Sequence, residues 1–552
     1  GTVGFLMFAG QLFQANQPQV VLFPDTDPNY VYLYAETALG TDVDNTDQIT
    51  QEELEARVFQ VLEPYQDIVK SVVTNVGKST GNPQDGPSNN FTPHKSKIAV
   101  GFIDFEDRAG ISTGQIMKEL SEKMKEVPGV KVTTDKDAMG PPVGKPVNLE
   151  VVGDDYEVLL AEAEKIKNKI EQSGIQGLDG LKLEVETGKP ELLVRIDREK
   201  AGRFGISTNT LASTLRTAIY GREVSKLKEG DDDYPIQLRL DEEYRNDISV
   251  LSNQRLTFRD KKGTMHQVPI SAVADLEYSS TFGSVKRKDL DRLITVSSNV
   301  VEGFNTNEIV ADIRTLLADH PMPDGYSFKF TGEQEEQAES IAFLSRAMLI
   351  AVSVIFMILV SQFNSFIKPF IIIISVVFSL IGVLLGLTVF GDQFVIIMTG
   401  VGIISLAGVV VNNAIVLIDY IDLTRERKKK ELGMAENEHL SKEDFIECLI
   451  KGGYTRLRPV LLTAITTVLG LIPLALGFNI DFYGLLAHFE PAIYWGGSNA
   501  DFWGPMAWTV IYGLVFATFL TLVIVPVMYL LSDLLAQAFR KLNKKATNVA
   551  PA

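Results

Sequence analysis

Residues 369–421 read PFIIIISVVFSLIGVLLGLTVFGDQFVIIMTGVGIISLAGVVVNNAIVLIDYI, and the fold class turns on them. Two long apolar runs are separated only by Gly391, Asp392 and Gln393. A hydrocarbon core of about 30 Å takes about 20 helical residues at 1.5 Å each, so each run is long enough to cross it. The three-residue link can only reverse the chain. Working outward, five stretches qualify as spans: Ile341–Val360, Pro369–Phe390, Phe394–Ile421, Pro459–Phe478 and Met506–Leu531. The link SQFNSFIK at 361–368 is also no more than a turn.

The whole chain of 552 residues has a mean hydropathy of only +0.10, because it joins unlike parts. Residues 14–340 are polar and acidic, whereas 341–532 carry the apolar runs. A net charge of −18 argues against nucleic acid as a partner. Cys448 is the sole cysteine, which rules out an internal disulfide. His94, His266, His320, His439 and His488 are scattered without metal-ligand spacing, so no metal and no cofactor is expected. GPPVGK at 140–145 has three residues between its glycines where a phosphate loop needs four, and Pro146 where it needs Ser or Thr. The opening GTVGFLMFAGQLF lacks the marks of a signal peptide and is too short to span; it reads as the tail of a truncated transmembrane helix over 1–13.

Basic residues orient the spans. The link after the third span carries Arg425, Arg427, Lys428, Lys429, Lys430, Lys442, Lys451, Arg456 and Arg458, and the tail over 533–552 carries Arg540, Lys541, Lys544 and Lys545. Lys368 lies in the first link, whereas Asn479–Pro505, rich in Phe482, Tyr483, Trp495 and Trp503, has no Lys or Arg. The basic links therefore face the cytoplasm and residues 14–340 the opposite side, the periplasm of a Gram-negative cell.

Small residues at three- and four-residue spacing (Ser375, Ser379, Gly382, Gly386) let the second span approach a neighbour closely. On the third span Ser405, Gly408, Asn412 and Asp419 share a stripe; on the fourth Thr463, Thr467 and Gly470 do, with Arg456 a heptad earlier. Polar groups in hydrocarbon are costly, so these stripes are expected to face protein or a wet path. Plainer readings stand beside that one. Asn412 and Asn413 serve as interhelical glue, Asp419 reaches water at the span end, Thr463 and Thr467 bond their own helix carbonyls, and Arg456 is a positive-inside anchor.

The polar part alternates strands with amphipathic helices. Strands are predicted at 30–37, 68–76, 97–105 and 130–135, with helices at 48–62 and 112–126 and a loop at 77–96. Two β-α-β units of this kind commonly pair into a ferredoxin-like layer. The pattern repeats with strands at 147–153, 181–187, 292–300 and 326–332 and helices at 154–172 and 305–318. The expected fold class is thus an α+β membrane protein, a helical bundle of five full helices plus a truncated one with two α/β sandwiches, the second interrupted by an inserted domain. The boundaries are 20–146 for the first sandwich, 147–187 with 283–335 for the second, 188–282 for the insert and 341–532 for the membrane domain. Asp231, Asp232 and Asp233 read as a solvated turn, and no nucleophile–base pair is present, so no enzyme is expected.

Several long motifs, in this order, make the chain resemble the C-terminal half of the resistance–nodulation–division transporters, in their hydrophobe/amphiphile efflux branch. They are FPDTD (23–27), GPPVGKPV (140–147), LLVRIDREKAGRFGIS (192–207), LRTAIYGREV (215–224), TGEQEEQ (331–337), SQFNSFIKPF (361–370), GVVVNNAIVLIDY (408–420) and RLRPVLLTAITTVLGLIPLAL (456–476). The resemblance implies a multi-pass inner-membrane antiporter that exports small amphiphilic substrates from the periplasm or outer leaflet, driven by protons. The partners it implies are an N-terminal half, a homotrimer, a periplasmic adaptor protein, an outer-membrane channel and membrane lipids. The two sandwiches would be porter subdomains and 188–282 the docking (funnel) domain. Asn412, Arg456 and Thr463 would be the partners of proton-carrying aspartates on a helix this chain does not contain. The resemblance puts Val73 and Val100 where drug pumps place pocket phenylalanines, with Phe91 as a partial substitute, and Asn412 where several have Lys. A metal or lipid exporter of the same superfamily and a non-transporting periplasmic scaffold are the alternatives. Met117, Met124, Met139, Met265 and Met322 are too dispersed to suggest a soft-metal site.

Overall fold

A computed structural model describes the chain except residues 1, 17, 25, 82–90, 126, 138–139, 141–142, 186–188, 246, 260–262, 282–284, 302–303, 436–439, 490–492 and 548–552. Parts of the expected loop at 77–96 and of the GPPVGK segment, together with Met139 and His439, therefore lie outside the described residues, as do the side chains of the basic tail.

Helix α1 (Thr2–Ala15) leads, by way of residues 18–29, to a first sheet of β1 (Tyr30–Glu36), β2 (Val69–Val76), β3 (Lys95–Phe102) and β4 (Lys131–Lys136). The sheet order is β2-β3-β1-β4, antiparallel throughout. Strand β1 shows why: Val31, Leu33 and Ala35 are buried while the residues between them are not, the period-two signature of a half-buried strand. Those residues, with Ile98 and Val100 of β3, pack under α2 (Val43–Ile49), its π-helical continuation Thr50–Glu55, α3 (Ala56–Leu62) and α4 (Thr113–Met124). Helix α2 is capped by Asp42, whose carboxylate accepts from Asn45 N at 2.7 Å.

Among the described residues Arg108 is the largest fully buried side chain. Its guanidinium donates to Ile103 O (2.8 Å), Thr113 Oγ1 (3.3 Å) and Asn29 Oδ1 (2.5 Å). Asp27 and Asp104 supply the compensating charge, although burial, the larger influence, lowers its pKa. The result ties the 27–29 segment to the end of the sheet.

The second sheet is built from β5 (Val147–Val152), β6 (Leu178–Leu183), β7 (Lys286–Lys288), β8 (Asp291–Val300) and β9 (Ser327–Phe330). Its order is β7-β8-β5-β9, with β6 also paired to β8. Helix α5 (Tyr156–Gln172) and α6 (Thr306–Leu317) accompany it. Asp155 caps α5, accepting from Glu157 N at 2.9 Å and Val158 N at 3.2 Å. One expectation is corrected here: the strand expected at 181–187 runs over Leu178–Leu183, because its pairing with β8 begins at Leu178 and Gly180 takes up a positive φ of 69° inside it.

Residues 185–285 form a compact unit of their own. Antiparallel strands Lys189–Ile196 and Ala274–Thr281 carry helices Arg198–Phe204 and Thr208–Ile219 over a core that includes Leu211, Leu215, Leu256, Ile270 and Val273. Its hairpin, Arg222–Glu229 with Asp232–Leu238, is exposed at every residue, and Asp231–Asp233 lie at its turn.

Among the described residues five helices are long and apolar enough to cross a membrane: α7 (Glu333–Phe363), α8 (Ile367–Phe390), α9 (Ile396–Glu431), α10 (Lys442–Leu476) and α11 (Ser498–Thr547). Helix α9 starts two residues after the expected Phe394, because Phe394 and Val395 instead pair in parallel with Val20 and Val21. The segment between α10 and α11 holds a strand pair, Phe478–Ile480 with Ile493–Trp495, and a helix, Phe482–His488. Helix α1 packs through Ala9 on Phe378 and Ile381 of α8.

The small-residue face of α8 meets α11. A Cβ on Gly382 would lie 2.4 Å from Phe516 Cβ, and one on Gly386 would lie 2.3 Å from Tyr512 Cγ. Ser375 and Ser379 satisfy their hydroxyls on the carbonyls of Ile372 and Val376, each at 2.6 Å, so they pack as small groups. Without a hydrophobic drive between helices in lipid, such close approach supplies the packing energy. Gly386→Leu should force α8 from α11 and cost about 1–3 kcal/mol. A lowered midpoint of thermal unfolding in detergent is expected for it, and an unchanged midpoint for Gly4→Ala, whose added Cβ meets nothing within 4 Å.

Candidate functional site

The polar residues of α9 divide by helix phase. Asn412 and Asn413 are neighbours in sequence and so point about 100° apart at 3.6 residues per turn. Asn413 is buried against α10, where its Oδ1 accepts from Thr463 Oγ1 at 3.3 Å. Asn412 is exposed, and so are Ser405, Gly408 and Asp419 along the same stripe. Among the described residues neither the Asn412 amide nor the Asp419 carboxylate has a side-chain partner. On α10, Thr463 also donates to Val460 O at 2.9 Å, and Thr467 bonds the carbonyl of Thr463 at 2.8 Å. Thr467 is thus satisfied within its own helix, whereas Thr463 links two helices.

Arg456 stands 14 residues into α10, which begins at Lys442. Its guanidinium lies over the Tyr420 ring, 4.6 Å from the centroid, and its buried Nε has no hydrogen-bond partner among the described residues. The structure therefore brings Thr463 and Asn413 together, sets Arg456 against Tyr420, and leaves Asn412 and Asp419 on an open polar face. Single unpartnered amides and carboxylates at membrane depth are costly, so such a face is suited to contact with other polar protein groups or water.

A second constellation escaped the sequence reading. Lys368 Nζ donates to Asp422 Oδ2 at 2.5 Å, and the Tyr529 hydroxyl donates to Asp422 Oδ1. Arg425 donates to the Tyr529 hydroxyl at 2.6 Å, reaches Asp533 at 3.5 Å and covers the Phe445 ring at 4.6 Å. Four helices, α8, α9, α10 and α11, are clasped at their basic end by these six residues. Lys368 and Arg425 stood out in the sequence only as orientation signals. Their carboxylate and phenol partners lie 54 and 104 positions away, which spacing rules do not reach.

The candidate pocket residues do not share one site. Val100 is fully buried beneath the helices of the first sheet, opposite Val72. Val73 pairs with Ala99 and is half exposed on the other face, because successive residues of a strand point to opposite sides. Phe91 is exposed and lies against Gly77, whose added Cβ would sit 3.2 Å from its ring. A separate polar cavity of about 190 Å³ is lined by Asp27, Asp104, Glu106, Asn479 and Tyr494, among others. Two of its carboxylates are already engaged: Asp27 accepts from Ser112 Oγ at 2.8 Å, and Glu106 accepts from Tyr494. Among the described residues no group of three or more His, Cys, Asp or Glu is placed to hold a metal ion.

Comparison with known proteins follows the same lines. A family model described as the AcrB/AcrD/AcrF family matches residues 2–533. The chain is 30% identical over 390 residues to the cobalt-zinc-cadmium resistance protein CzcA of Cupriavidus metallidurans, covering 70% of this chain and 33% of that protein. It is 24% identical to the multidrug resistance protein MdtC of Proteus mirabilis over 79% of this chain and 39% of that one. A crystal structure of a heavy metal efflux pump superposes with a TM-score of 0.73 at 23% identity, covering 96% of this chain and 50% of that chain. The chain thus spans about a third to a half of the length of these relatives.

The clasp and the Thr463–Asn413 bond should differ in weight. Tyr529→Phe removes the hydroxyl that joins Arg425 to Asp422 and should cost about 1–3 kcal/mol. Thr463→Val removes one interhelical bond, worth about 0.6 kcal/mol in a membrane. Thermal unfolding in detergent should rank them so; equal shifts would mean that the clasp holds no better than a single bond.

Proposed function

The chain belongs to the AcrB/AcrD/AcrF family of resistance–nodulation–division permeases, and from that premise we propose that it forms the membrane and porter portion of an inner-membrane, proton-driven efflux permease. The observation that carries the reading is the open polar face of α9, where Asn412 and Asp419 have no side-chain partner within the described chain. In the proposal a companion segment covers that face with titrating carboxylates. Arg456 and Thr463 stand beside them, and proton binding changes how α9 and α10 pack.

The two sheet layers are the porter subdomains. The order β2-β3-β1-β4 with its βαββαβ connectivity supports a ferredoxin-like reading of the first. The unit at 185–285 is the docking domain, and its exposed hairpin suits a partner protein. The unit and porter layers lie in the periplasm, the clasp at the cytoplasmic end, in keeping with the basic residues of α9 and α10. A homotrimer, a periplasmic adaptor and an outer-membrane channel complete the assembly.

Small amphiphiles are the proposed substrates. The 30% identity to a cobalt-zinc-cadmium resistance protein favours a second reading, metal export. The lack of a clustered ligand set among the described residues favours the first.

In the complete transporter, Arg456→Ala and Thr463→Ala should each abolish export while the assembly remains intact on gel filtration. Full export by both variants would remove the relay. Wild-type protection against dyes, detergents or bile salts in a deletion strain supports the amphiphile reading; protection confined to Co²⁺, Zn²⁺ and Cd²⁺ would replace it.

A further inference from the structure

The connection that leaves α10 at Leu476 and enters α11 at Ser498 plays no part in the proposed relay, and its two sides are unlike. Its base is locked onto the ends of both spans. Gly496 N donates to Gly477 O at 2.8 Å, and the Asn479 amide donates to Gly477 O at 2.8 Å and to Gly496 O at 2.9 Å. A Cβ on Gly477, at a φ of 69°, would lie 2.4 Å from Ala500 Cβ of α11. The strand pair Phe478–Ile480 with Ile493–Trp495 therefore starts directly from the span ends.

Successive residues of a strand point to opposite sides. Tyr494 turns toward the first sheet, where its hydroxyl donates to Glu106, and a Cβ on the nearby Gly496 would lie 3.3 Å from the Phe105 ring. Ile493 and Trp495 point the other way; each is more than half exposed, and the Phe478 ring lies 4.9 Å from that of Trp495. On the helix Phe482–His488, Phe482 and Leu486 are four residues apart and so share a face. Phe482 is 66% exposed, Leu486 80%, and Phe489, just past the helix, 87%.

Large apolar side chains exposed together in this way mark a contact surface. Position and charge say what covers it. The segment is pinned to the ends of two membrane spans, close to the level where hydrocarbon gives way to head groups. Residues 479–505 hold Phe, Tyr and Trp but no Lys or Arg, the composition of an aromatic belt rather than of a surface drawn to anionic lipid. We propose that this segment is a foot on the bilayer. Phe482, Leu486, Phe489, Ile493 and Trp495 seat in the lipid interface at the end of the spans away from the clasp, and Tyr494 on the opposite side carries the base of the first sheet. The foot sets the height of that sheet over the lipid. It requires the membrane spans and is independent of what the protein exports.

The test places a nitroxide at Leu486→Cys, and separately at Trp495→Cys, in the complete transporter carrying Cys448→Ser, in phosphatidylcholine bilayers. Collision is measured with dissolved oxygen, which concentrates in lipid, and with a water-soluble nickel chelate. Phe519→Cys on α11 is the lipid reference, and Glu122→Cys, exposed on α4, is the water reference. At both sites oxygen collision should approach that at 519, and nickel collision should fall several-fold below that at 122. Nickel collision equal to that at 122 would overturn the foot by putting these side chains in water. Low collision with both reagents would overturn it as well, by putting protein, a companion segment or a second copy, over them.

Discussion

The rest of this structure depends on one requirement: a polar side chain at membrane depth must find a partner. Helix α9 meets it on one side and not on the other. Asn413 turns inward and accepts from Thr463 on α10, at 3.3 Å. Asn412, one residue earlier, turns outward with Asp419 and Ser405. The inward side is a helix interface; the outward side has no side-chain partner among the described residues. The relatives it matches are two to three times as long as this chain.

Around that seam the helices are held by two kinds of contact. Along their length, glycines at 382 and 386 bring α8 against α11 more closely than any larger residue would permit. At the basic end, Asp422, Arg425 and Tyr529 form a charged clasp with Lys368 and Asp533, sheltered by Phe445. The clasp fixes α8, α9, α10 and α11 at one end. Toward the other end, the segment after α10 packs Gly496 and Gly497 under the ring of Phe105, at the end of the first sheet. That contact joins the segment after α10 to the end of the first sheet.

Much of this was legible before any coordinates. The five spans follow from run length alone, and the strands of the first sheet follow from alternation such as that of Val31, Leu33 and Ala35. Their order does not, because a strand's neighbour is set by connections that the pattern does not encode. Two adjacent asparagines could be seen on α9, but which one faces α10 is fixed by helix phase relative to a partner. The clasp stayed hidden because Lys368 and Tyr529 lie 54 and 104 positions from their partners Asp422 and Arg425, and its charges look individually like solvated or orienting ones. Val73 and Val100 show a different failure. A likeness by position grouped them, whereas strand parity puts them on opposite faces, and Ile98 two residues before Val100 already hinted at the buried one.

The most direct test is where the Asn412 side chain points in the assembled protein. With Cys448 replaced by Ser, a nitroxide placed on Asn412→Cys in the complete transporter, in lipid bilayers, reports collision with dissolved oxygen. Phe519→Cys on α11, exposed and apolar, provides the lipid-facing reference. The account predicts low oxygen accessibility at 412, far below that at 519, and a spectrum that changes as pH crosses the titration of the facing carboxylates. Accessibility at 412 equal to that at 519, with no dependence on pH, would contradict it.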